Sequence, residues 1–266
     1  AAFPLVAVAL PRLPDRGWSV ARTAGLLLTS YVSWLAASTD FIPNTWLLLV
    51  ASALAVALLS ALVARWAGFR PLAWFKDNRE AVLGVELVFL AVFAVFLGIR
   101  YGNPDLWHTS KGGEKPMDFA YLNAVLRSVH YPPYDPWFSG SKLNYYYYGF
   151  VFIGTLIKLT RVVPWLAYNL AIPTLAAMTA AGVYGIVVGW AGRLGVRTGR
   201  ARRSGVVAAV MAVLMGNLYQ APWMAARLAE FGPQSRGGAV ERLSSVLDNW
   251  GPVGGLARAF VGLWDV

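Results

Sequence analysis

The sequence predicts an all-α protein, a polytopic bundle of transmembrane helices with one large external loop. Hydrophobic residues make up 58% of the 266 residues and charged residues only 14%, unlike the composition of soluble domains. The apolar residues also come in long blocks, such as the run from Thr45 to Trp66. A block of that length crosses about 30 Å of hydrocarbon at about 1.5 Å per residue. These blocks do not alternate as barrel strands would.

Apolar blocks and the basic or proline-containing loops between them predict the spans in order. Residues 1–10 are the end of a first spanning helix, and about six to seven spans are expected in all. The other predicted spans or apolar segments are 20–38, 44–66, 80–99, 145–159, 166–190 and 205–219, with 239–266 loop-like or amphipathic. The chain begins inside an apolar run and ends without a closing element, so we expect a fragment of a longer protein.

The charge distribution favours a lipid bilayer as partner and excludes nucleic acid as one. The net charge is +10, but the basic residues lie between apolar blocks, where they orient helices. No basic and aromatic module typical of nucleic-acid binding is visible. Counting positive charges predicts a multi-pass plasma-membrane protein with the loops 11–22 and 65–79 in the cytoplasm and Asp40 outside. With no cysteine, disulfides, thiolate metal sites and cysteine nucleophiles are excluded.

A long polar insertion separates two membrane regions, so we divide the chain into 1–99, 100–144 and 145–266. The insertion, Arg100 to Asn144, contains both histidines and four of the thirteen acids, and it is predicted to face outward. It is longer than a connector between two spans needs to be. We therefore expect any chemistry to lie there. Its histidines, His108 and His130, lack metal-ligand spacing.

A surface helix is predicted within the insertion, beginning near Pro116, a residue that fits the first helical turn. Glu114 and Asp118 are one turn apart, so their carboxylates can converge, although acids also simply favour a helix N-terminus. Asp118 and Tyr121 are expected to face water. The apolar positions expected to face the membrane or the bundle are Phe119, Leu122, Leu126 and Val129.

A proline-rich segment follows the predicted helix and contains Asp135 between Tyr134 and Trp137. Prolines enforce an extended path there, and an acid between aromatic rings is a common arrangement for binding sugars. The alternative is that Asp135 is a turn or capping residue. The four tyrosines at 145–148 are equally typical of an aromatic belt at a membrane interface. Glu86, inside the fourth span, is expected to snorkel or to be paired.

Three motifs of the insertion resemble a known family when taken in order. They are EKPMDFAYLNAVLRS at 114–128, PPYDPWFSG at 132–140 and LNYYYYG at 143–149. Together they resemble the Chlor_Arch_YYY family, uncharacterised membrane proteins of chloroflexi and archaea named for a tyrosine triplet. YNLAIPTLAAM at 168–178 and Gly216-Asn217 also resemble it. The resemblance covers the second half of the chain closely and the first half only in pattern. It implies no activity.

The architecture also resembles that of the GT-C glycosyltransferases, which take sugars from polyprenyl-phosphate donors at the outer membrane face. Those enzymes carry acids on a surface helix in a large external loop, followed by a proline and aromatic segment. Here three or four spans precede the loop, where that superfamily has one. In it two full crossings follow the loop, so we favour full crossings at 145–159 and 166–190. That choice places the five arginines of 193–203 outside, against the positive-inside rule.

The GT-C resemblance implies an inverting sugar transfer, in which a carboxylate deprotonates the acceptor and cations stabilise the departing phosphate. Asp118 is the predicted base, with Glu114 supporting it and Asp135 the next candidate. The predicted substrate-binding residues are Lys115, Arg127 and Lys142 for phosphate, with Trp137, Asn144, Tyr145, Tyr146 and Tyr147 for sugar or isoprenoid. No cofactor is implied with certainty, and a divalent cation held by the loop acids is an open alternative.

Two other hypotheses remain at this point. One is a non-enzymatic membrane protein that binds or translocates a lipid-linked glycan, in which aromatic residues matter and acids do not. The other is a structural or assembly subunit, in which no loop carboxylate matters. The chain has no phosphate-binding glycine loop or dinucleotide fingerprint that would indicate a nucleotide enzyme.

Overall fold

A computed structural model describes residues 2–102, 104–107 and 114–215, and the regular structure in those ranges is helical throughout. This confirms the all-α fold class. The described helices are α1 (Phe3–Ala9), α2 (Trp18–Ala37), α3 (Trp46–Trp66), α4 (Pro71–Asp77), α5 (Arg79–Gly102), α6 (Lys115–Arg127), α7 (Tyr148–Thr160), α8 (Pro164–Arg193) and α9 (Thr198–Leu214). Extended pairing within these ranges is limited to one bridge between Tyr134 and Lys142.

Three of the described helices, α3, α5 and α8, are both long enough and apolar enough to cross a membrane. The membrane character predicted from composition is therefore supported, whereas the count of six to seven spans stays a prediction. The twenty residues of α2 also measure about 30 Å, but this helix carries Arg22 and a row of hydroxyl side chains. Thr29, Ser30 and Ser33 donate their hydroxyls to carbonyls of the preceding turn, so they need no partner elsewhere.

The helix α8 lies at the centre of the described bundle, in contact with α2, α5 and α9. Its middle is rich in alanine and glycine, and small residues allow helix backbones to approach closely in a membrane. Val85 of α5 and Ala209 of α9 pack against Ala180, Ala181 and Tyr184 of α8 and form one buried cluster. Close packing around α8 therefore fixes the relative positions of the crossing helices.

We define two ends of the bundle by the residues found there. The basic end contains Arg12, Arg70, Arg79 and Arg193; Arg193 donates Nη2 to the carbonyl of Arg12 at 2.9 Å. The insertion end contains Arg100, at the other end of α5. Because α8 begins beside Arg100 and ends beside Arg12, the basic loop after α8 lies with the other basic loops.

The short helix α7 corrects the expectation of two full crossings after the insertion. Its thirteen residues span about 20 Å, well short of the hydrocarbon thickness. Tyr147, at its start, packs with Ala37, and Lys158, near its end, donates to the carbonyl of Asn44 at 2.9 Å. Both ends of α7 thus lie at the insertion end. The chain enters and leaves on one side, which removes the conflict that the arginines of 193–203 raised with the positive-inside rule.

A polar pair links α2 to α5 near the basic end. Glu86 accepts the indole N–H of Trp18 at 2.7 Å and forms an ion pair with Arg22. The Arg22 guanidinium also lies 4.4 Å from the centroid of the Phe89 ring. The prediction that Glu86 is paired is confirmed. An intramembrane carboxylate with these partners has a structural reason to be there.

Because α8 lies very close to the start of α2 at Gly185, a larger side chain at that position should destabilise the fold. A Cβ atom built on Gly185 would lie 2.5 Å from Cβ of Ser19 and 2.9 Å from Oδ2 of Asp15, whose carboxylate accepts the backbone N–H groups of Gly17 and Ser19. We expect Gly185→Ala to lower the free energy of unfolding by about 1–3 kcal/mol through overpacking. Chemical or thermal unfolding in detergent measures the change.

The matched control for this prediction is Gly192→Ala in the same helix, where an added Cβ meets nothing within 4 Å. Alanine there should leave stability unchanged or raise it by up to about 1 kcal/mol. Equal effects of the two substitutions would mean that α8 does not pack closely on the α2 start.

Candidate functional site

The surface helix of the insertion forms as predicted, as α6 from Lys115 to Arg127. Pro116 occupies its first turn, and Asp118 lies where a carboxylate meets the positive end of the helix dipole. Leu122, Ile157 of α7 and Ala167 of α8 form a buried cluster. α6 is therefore anchored on the two helices that follow the insertion, with its acidic turn at the edge of the bundle.

One expectation about the faces of α6 is wrong. Tyr121, expected to face water, is buried because its ring packs against Tyr145 and Phe150. Val129, expected to face the membrane or the bundle, lies beyond the end of α6 at Arg127 and is exposed on the protein surface, so a position facing the membrane stays a prediction. The buried face is wider than the apolar spacing indicated, since tyrosine rings from 145–148 cover its second side.

The predicted base Asp118 has a partner that sequence reasoning missed. Tyr168 of α8 donates its hydroxyl to Oδ2 of Asp118 at 3.4 Å, and its ring meets Phe119 edge-on at 5.9 Å. Partial burial raises the pKa of Asp118, the Tyr168 hydrogen bond opposes that rise, and the nearby charge of Glu114 adds to it. The carboxyl is thus partly desolvated and has one hydroxyl donor, at the long end of hydrogen-bond distances.

A buried polar contact fixes the turn of α8 that carries Tyr168. Nε of Arg100 donates to Oδ1 of Asn169 at 3.0 Å, and both residues are buried. The amide of Asn169 in turn donates to the carbonyls of Pro104 and Trp165 at 3.2 and 3.1 Å. These hydrogen bonds therefore hold the start of the insertion against α8, next to the candidate base. Neither Arg100 nor Asn169 was predicted as a site residue.

The three predicted acids surround a group of tyrosines. Burial raises the pKa of Tyr121, and the charges of Asp135 and Asp118 raise it further. Tyr145 donates its hydroxyl to that of Tyr146 at 2.7 Å; this bond, with burial and the charge of Glu114, raises the pKa of Tyr145 to about 12. The charges of Glu114, Asp118 and Asp135 thus all raise the pKa of a tyrosine in this group, whereas a shared catalytic role of the three acids stays a prediction.

An apolar cavity of about 340 Å³ lies between α6, α7 and α8 beside this cluster. Its lining includes the aliphatic residues Leu122, Ile153 and Leu175 and the tyrosines Tyr146 and Tyr168. Tyr168 therefore belongs to both the cavity and the contact with Asp118. A hydrophobic pocket with few polar groups at its mouth is the usual form of a small-molecule site.

The tyrosines at 145–148 divide into two pairs. Tyr147 accepts the indole N–H of Trp34 at 3.1 Å, and the hydroxyl of Tyr148 lies 3.2 Å from that of Ser30. These two side chains face α2 and hold the start of α7 in place. Tyr145 and Tyr146 are exposed beside the acids. Tyr147, predicted to contact substrate, therefore has a packing role in this arrangement.

The segment around Asp135 forms a tight hairpin. Oδ1 of Asp135 accepts the backbone N–H groups of Trp137 at 2.8 Å and Phe138 at 3.2 Å, the pattern of an Asx turn. The ammonium of Lys142 lies 4.0 Å from the ring centroid of Tyr134 across the hairpin. The alternative interpretation of Asp135 as a turn residue is thus consistent with its contacts.

The three predicted phosphate-binding cations lie in three different places and do not form one cluster. Lys115 lies in the acidic turn, where its ammonium donates to the carbonyl of Asp105 at 3.3 Å. Arg127 is nine residues beyond Asp118, about 13 Å along the helix axis. Lys142 lies over Tyr134, and the side chains of Trp137 and Asn144 are exposed to solvent.

The described residues contain no group of three His, Asp or Glu side chains close enough to share a metal ion. His108 lies outside the residues that the structure describes, as do the predicted segment 239–266 and Gly216-Asn217. The alternative of a divalent cation at the loop acids is therefore untested.

The insertion and most of the described helices lie in a region of the chain that matches a known family. Residues 28–252 match the model of a family described as uncharacterised membrane protein, DUF2298. The chain belongs to that family. The match agrees with the resemblance to a YYY-type membrane family. The matched residues of this DUF2298 protein include Asp118, Tyr168 and the residues that line the cavity. No curated protein and no solved structure matches the chain. The GT-C resemblance has no support from these comparisons.

The buried bond between Arg100 and Asn169 generates a prediction. We expect Asn169→Ala to lower the free energy of unfolding by about 1.5–3 kcal/mol, because a buried guanidinium loses its acceptor. Asn169→Asp keeps that acceptor and should lose less. Thermal unfolding in detergent reports both changes.

Asn123→Ala is the control, since the Asn123 side chain donates within α6 itself, to the carbonyl of Phe119 at 2.7 Å. That substitution should change stability by about 0.5 kcal/mol or less. A loss at Asn123 as large as that at Asn169 would contradict the assigned role of the Arg100 contact.

Proposed function

We propose that this protein is a membrane glycosyltransferase of GT-C type, which transfers a sugar from a polyprenyl-phosphate donor to an acceptor hydroxyl. The carrying observation is that Asp118, hydrogen-bonded by Tyr168 at 3.4 Å, lies beside an apolar cavity that Tyr168 also lines. A lipid-linked donor stays in the bilayer, so its reacting carbon must meet the base at the membrane surface. This site has a carboxylate that can act as the base and, beside it, an apolar cavity that can hold the lipid.

The proposed step is a single inverting displacement. Asp118 accepts the proton of the acceptor hydroxyl as that oxygen bonds to the anomeric carbon of the donor sugar. The bond from that carbon to the phosphate oxygen breaks, and the polyprenyl phosphate leaves with the bonding electron pair. The raised pKa of Asp118 supports the role, because a more basic carboxylate accepts a proton more readily.

The cavity supports a place for the prenyl chain of the donor. Its walls between α7 and α8 are aliphatic, including Ile153, Ile172 and Leu175. Tyr146, which is exposed and lines the cavity, and its hydrogen-bonded neighbour Tyr145 offer flat rings to a sugar. Of the predicted cations, Lys115 is the one in the acidic turn, and we assign it to the departing phosphate.

The position of the basic loops supports an outward-facing site in the plasma membrane. Arg12, Arg70, Arg79 and Arg193 lie at the end opposite Asp118, and such clusters stay on the cytoplasmic side during insertion. The insertion would then face the outside.

A second candidate function is a non-enzymatic protein that binds or translocates a lipid-linked glycan. One observation favours it: Arg127 and Lys142 do not meet Asp118, so the cations that stabilise a leaving phosphate are incomplete in this state. A binding protein needs the cavity and the tyrosines without a complete set of cations.

The transfer reaction tests the proposal with radiolabelled polyprenyl-phosphate sugars supplied to membranes containing the full-length protein. Asp118→Asn should reduce label transfer by about 10²–10⁴-fold, the usual contribution of a positioned base. Its unfolding midpoint should equal or exceed that of the wild type near neutral pH. The reason is that a carboxyl with a raised pKa in the fold lowers stability as pH rises through that pKa.

Asp40→Asn is the matched control, because Asp40 is an exposed carboxylate in the α2–α3 loop whose left-handed backbone, φ 61°, asparagine also adopts readily. It should transfer label normally. Loss of transfer in Asp135→Asn with normal transfer in Asp118→Asn would assign the base to Asp135. Label bound by every variant and transferred by none would favour the carrier function.

Two substitutions beside Asp118 should shift the pH dependence of transfer in opposite directions. Tyr168→Phe removes a hydrogen bond that lowers the pKa of Asp118, so the acid limb of kcat/KM should move to higher pH. Glu114→Gln removes a charge that raises this pKa, so the limb should move to lower pH. Shifts in the same direction would show that Asp118 is not the titrating base.

A further inference from the structure

We propose that the basic end carries a second site, which binds the phosphate headgroup of an anionic membrane lipid between Arg16 and Arg70. Both arginines line one cavity of about 470 Å³ at the surface of that end. The inference is independent of the proposed transferase, because the cavity lies at the opposite end of α5 from Arg100.

The two guanidinium groups reach the cavity from different loops. Arg16, between α1 and α2, has a left-handed backbone with φ 45°, and its guanidinium lies 5.3 Å from the ring centroid of Phe69. Arg70 is the residue just before α4, in extended conformation. A non-glycine residue with positive φ is held in that backbone conformation by its surroundings, and the contact with the Phe69 ring directs the Arg16 guanidinium to the cavity that Phe69 also lines.

The guanidinium groups of Arg16 and Arg70 are available to bind an anion. In the described part of the chain, the arginines in ion pairs are Arg22 with Glu86 and Arg202 with Glu80. Among the residues that line the cavity, the acidic one is Asp77, against two guanidinium groups. Planar guanidinium groups bind phosphate oxygens in pairs of parallel hydrogen bonds, which suits a phosphate monoester or diester.

The charges around the cavity are also mostly positive. Arg12 follows Pro11, which is part of the lining, and its carbonyl holds the guanidinium of Arg193. Lys76 and Arg79 lie within two residues of Asp77. The cavity therefore attracts anions although one carboxylate faces it.

Exposed apolar residues beside the cavity favour a lipid over a soluble anion. Trp66 ends α3 just before the cavity and is 88% exposed, and Leu72 of α4 is 80% exposed. Aromatic and aliphatic side chains in this arrangement lie at the level of the headgroups. Basic clusters at the cytoplasmic face meet the anionic lipids of that leaflet. The acyl chains of a bound lipid would cover these side chains.

Thermal unfolding of the full-length protein in neutral detergent tests the site as phosphatidylglycerol is titrated in. The unfolding midpoint should rise and saturate, because a ligand of the folded state stabilises it. Phosphatidylcholine should give no comparable rise. Inorganic phosphate, the soluble form of the same chemistry, should also give none at millimolar concentration. A full rise with inorganic phosphate alone would replace the lipid with a soluble anion and overturn the proposal.

The double variant Arg16→Gln/Arg70→Gln should lower the apparent affinity for phosphatidylglycerol about thirtyfold. Its control, Arg197→Gln/Arg200→Gln, removes the same charge from exposed positions at the same end and should keep most of the affinity. Equal losses in the two variants would mean diffuse attraction instead of a site.

Asp77→Asn tests the same cavity without removing an arginine, in case the double variant does not fold. Removing the carboxylate that lines the cavity should tighten phosphatidylglycerol binding about fivefold. Unchanged or weaker binding in Asp77→Asn would contradict the location of the site.

Discussion

The close approach of helix backbones around α8 is the constraint on which the described structure depends. Where Gly185 faces Ser19, the helices have no room for even a methyl group, and a Cβ added to Gly205 of α9 would lie 2.6 Å from Val188 and 2.8 Å from Tyr184. Packing at this distance in a membrane replaces the hydrophobic effect that stabilises soluble cores. This packing also fixes the position of α8 along the bundle axis, and hence the place where Tyr168 contacts α6.

Much of the fold follows from sequence patterns that act locally. Apolar block lengths predicted α3, α5 and α8, and a proline beside two acids predicted the start of α6. The run at 145–159 was ambiguous because its length lies between those of a span and a surface helix. Tertiary contacts decide it: Lys158 bonds to Asn44, far away in sequence, and that contact keeps α7 at one end of the bundle.

The candidate site could be predicted only in part, for the same reason. Helical spacing brought Glu114 beside Asp118, but Tyr168 is fifty residues further on, and no local pattern pairs it with that carboxylate. Arg100 was assigned to the polar insertion and Asn169 lies inside the predicted span 166–190, although the two side chains are buried against each other. Conversely, Arg127 was suitable by charge but lies about 13 Å along the helix from Asp118, and Lys142 lies over Tyr134 in the hairpin of Asp135.

Pro173 divides α8 into two mechanical parts. It is buried within the helix and has no N–H to bond the carbonyl of Asn169, so the backbone ladder is interrupted between the site and the glycine contacts. The outer turns, with Tyr168, are bonded to Arg100 through Asn169, so a tilt about Pro173 would move them together with the start of the insertion and leave the helix around Gly185 in place. Under the proposed function, a lipid-linked donor would then enter beside Asp118 without loosening the membrane bundle.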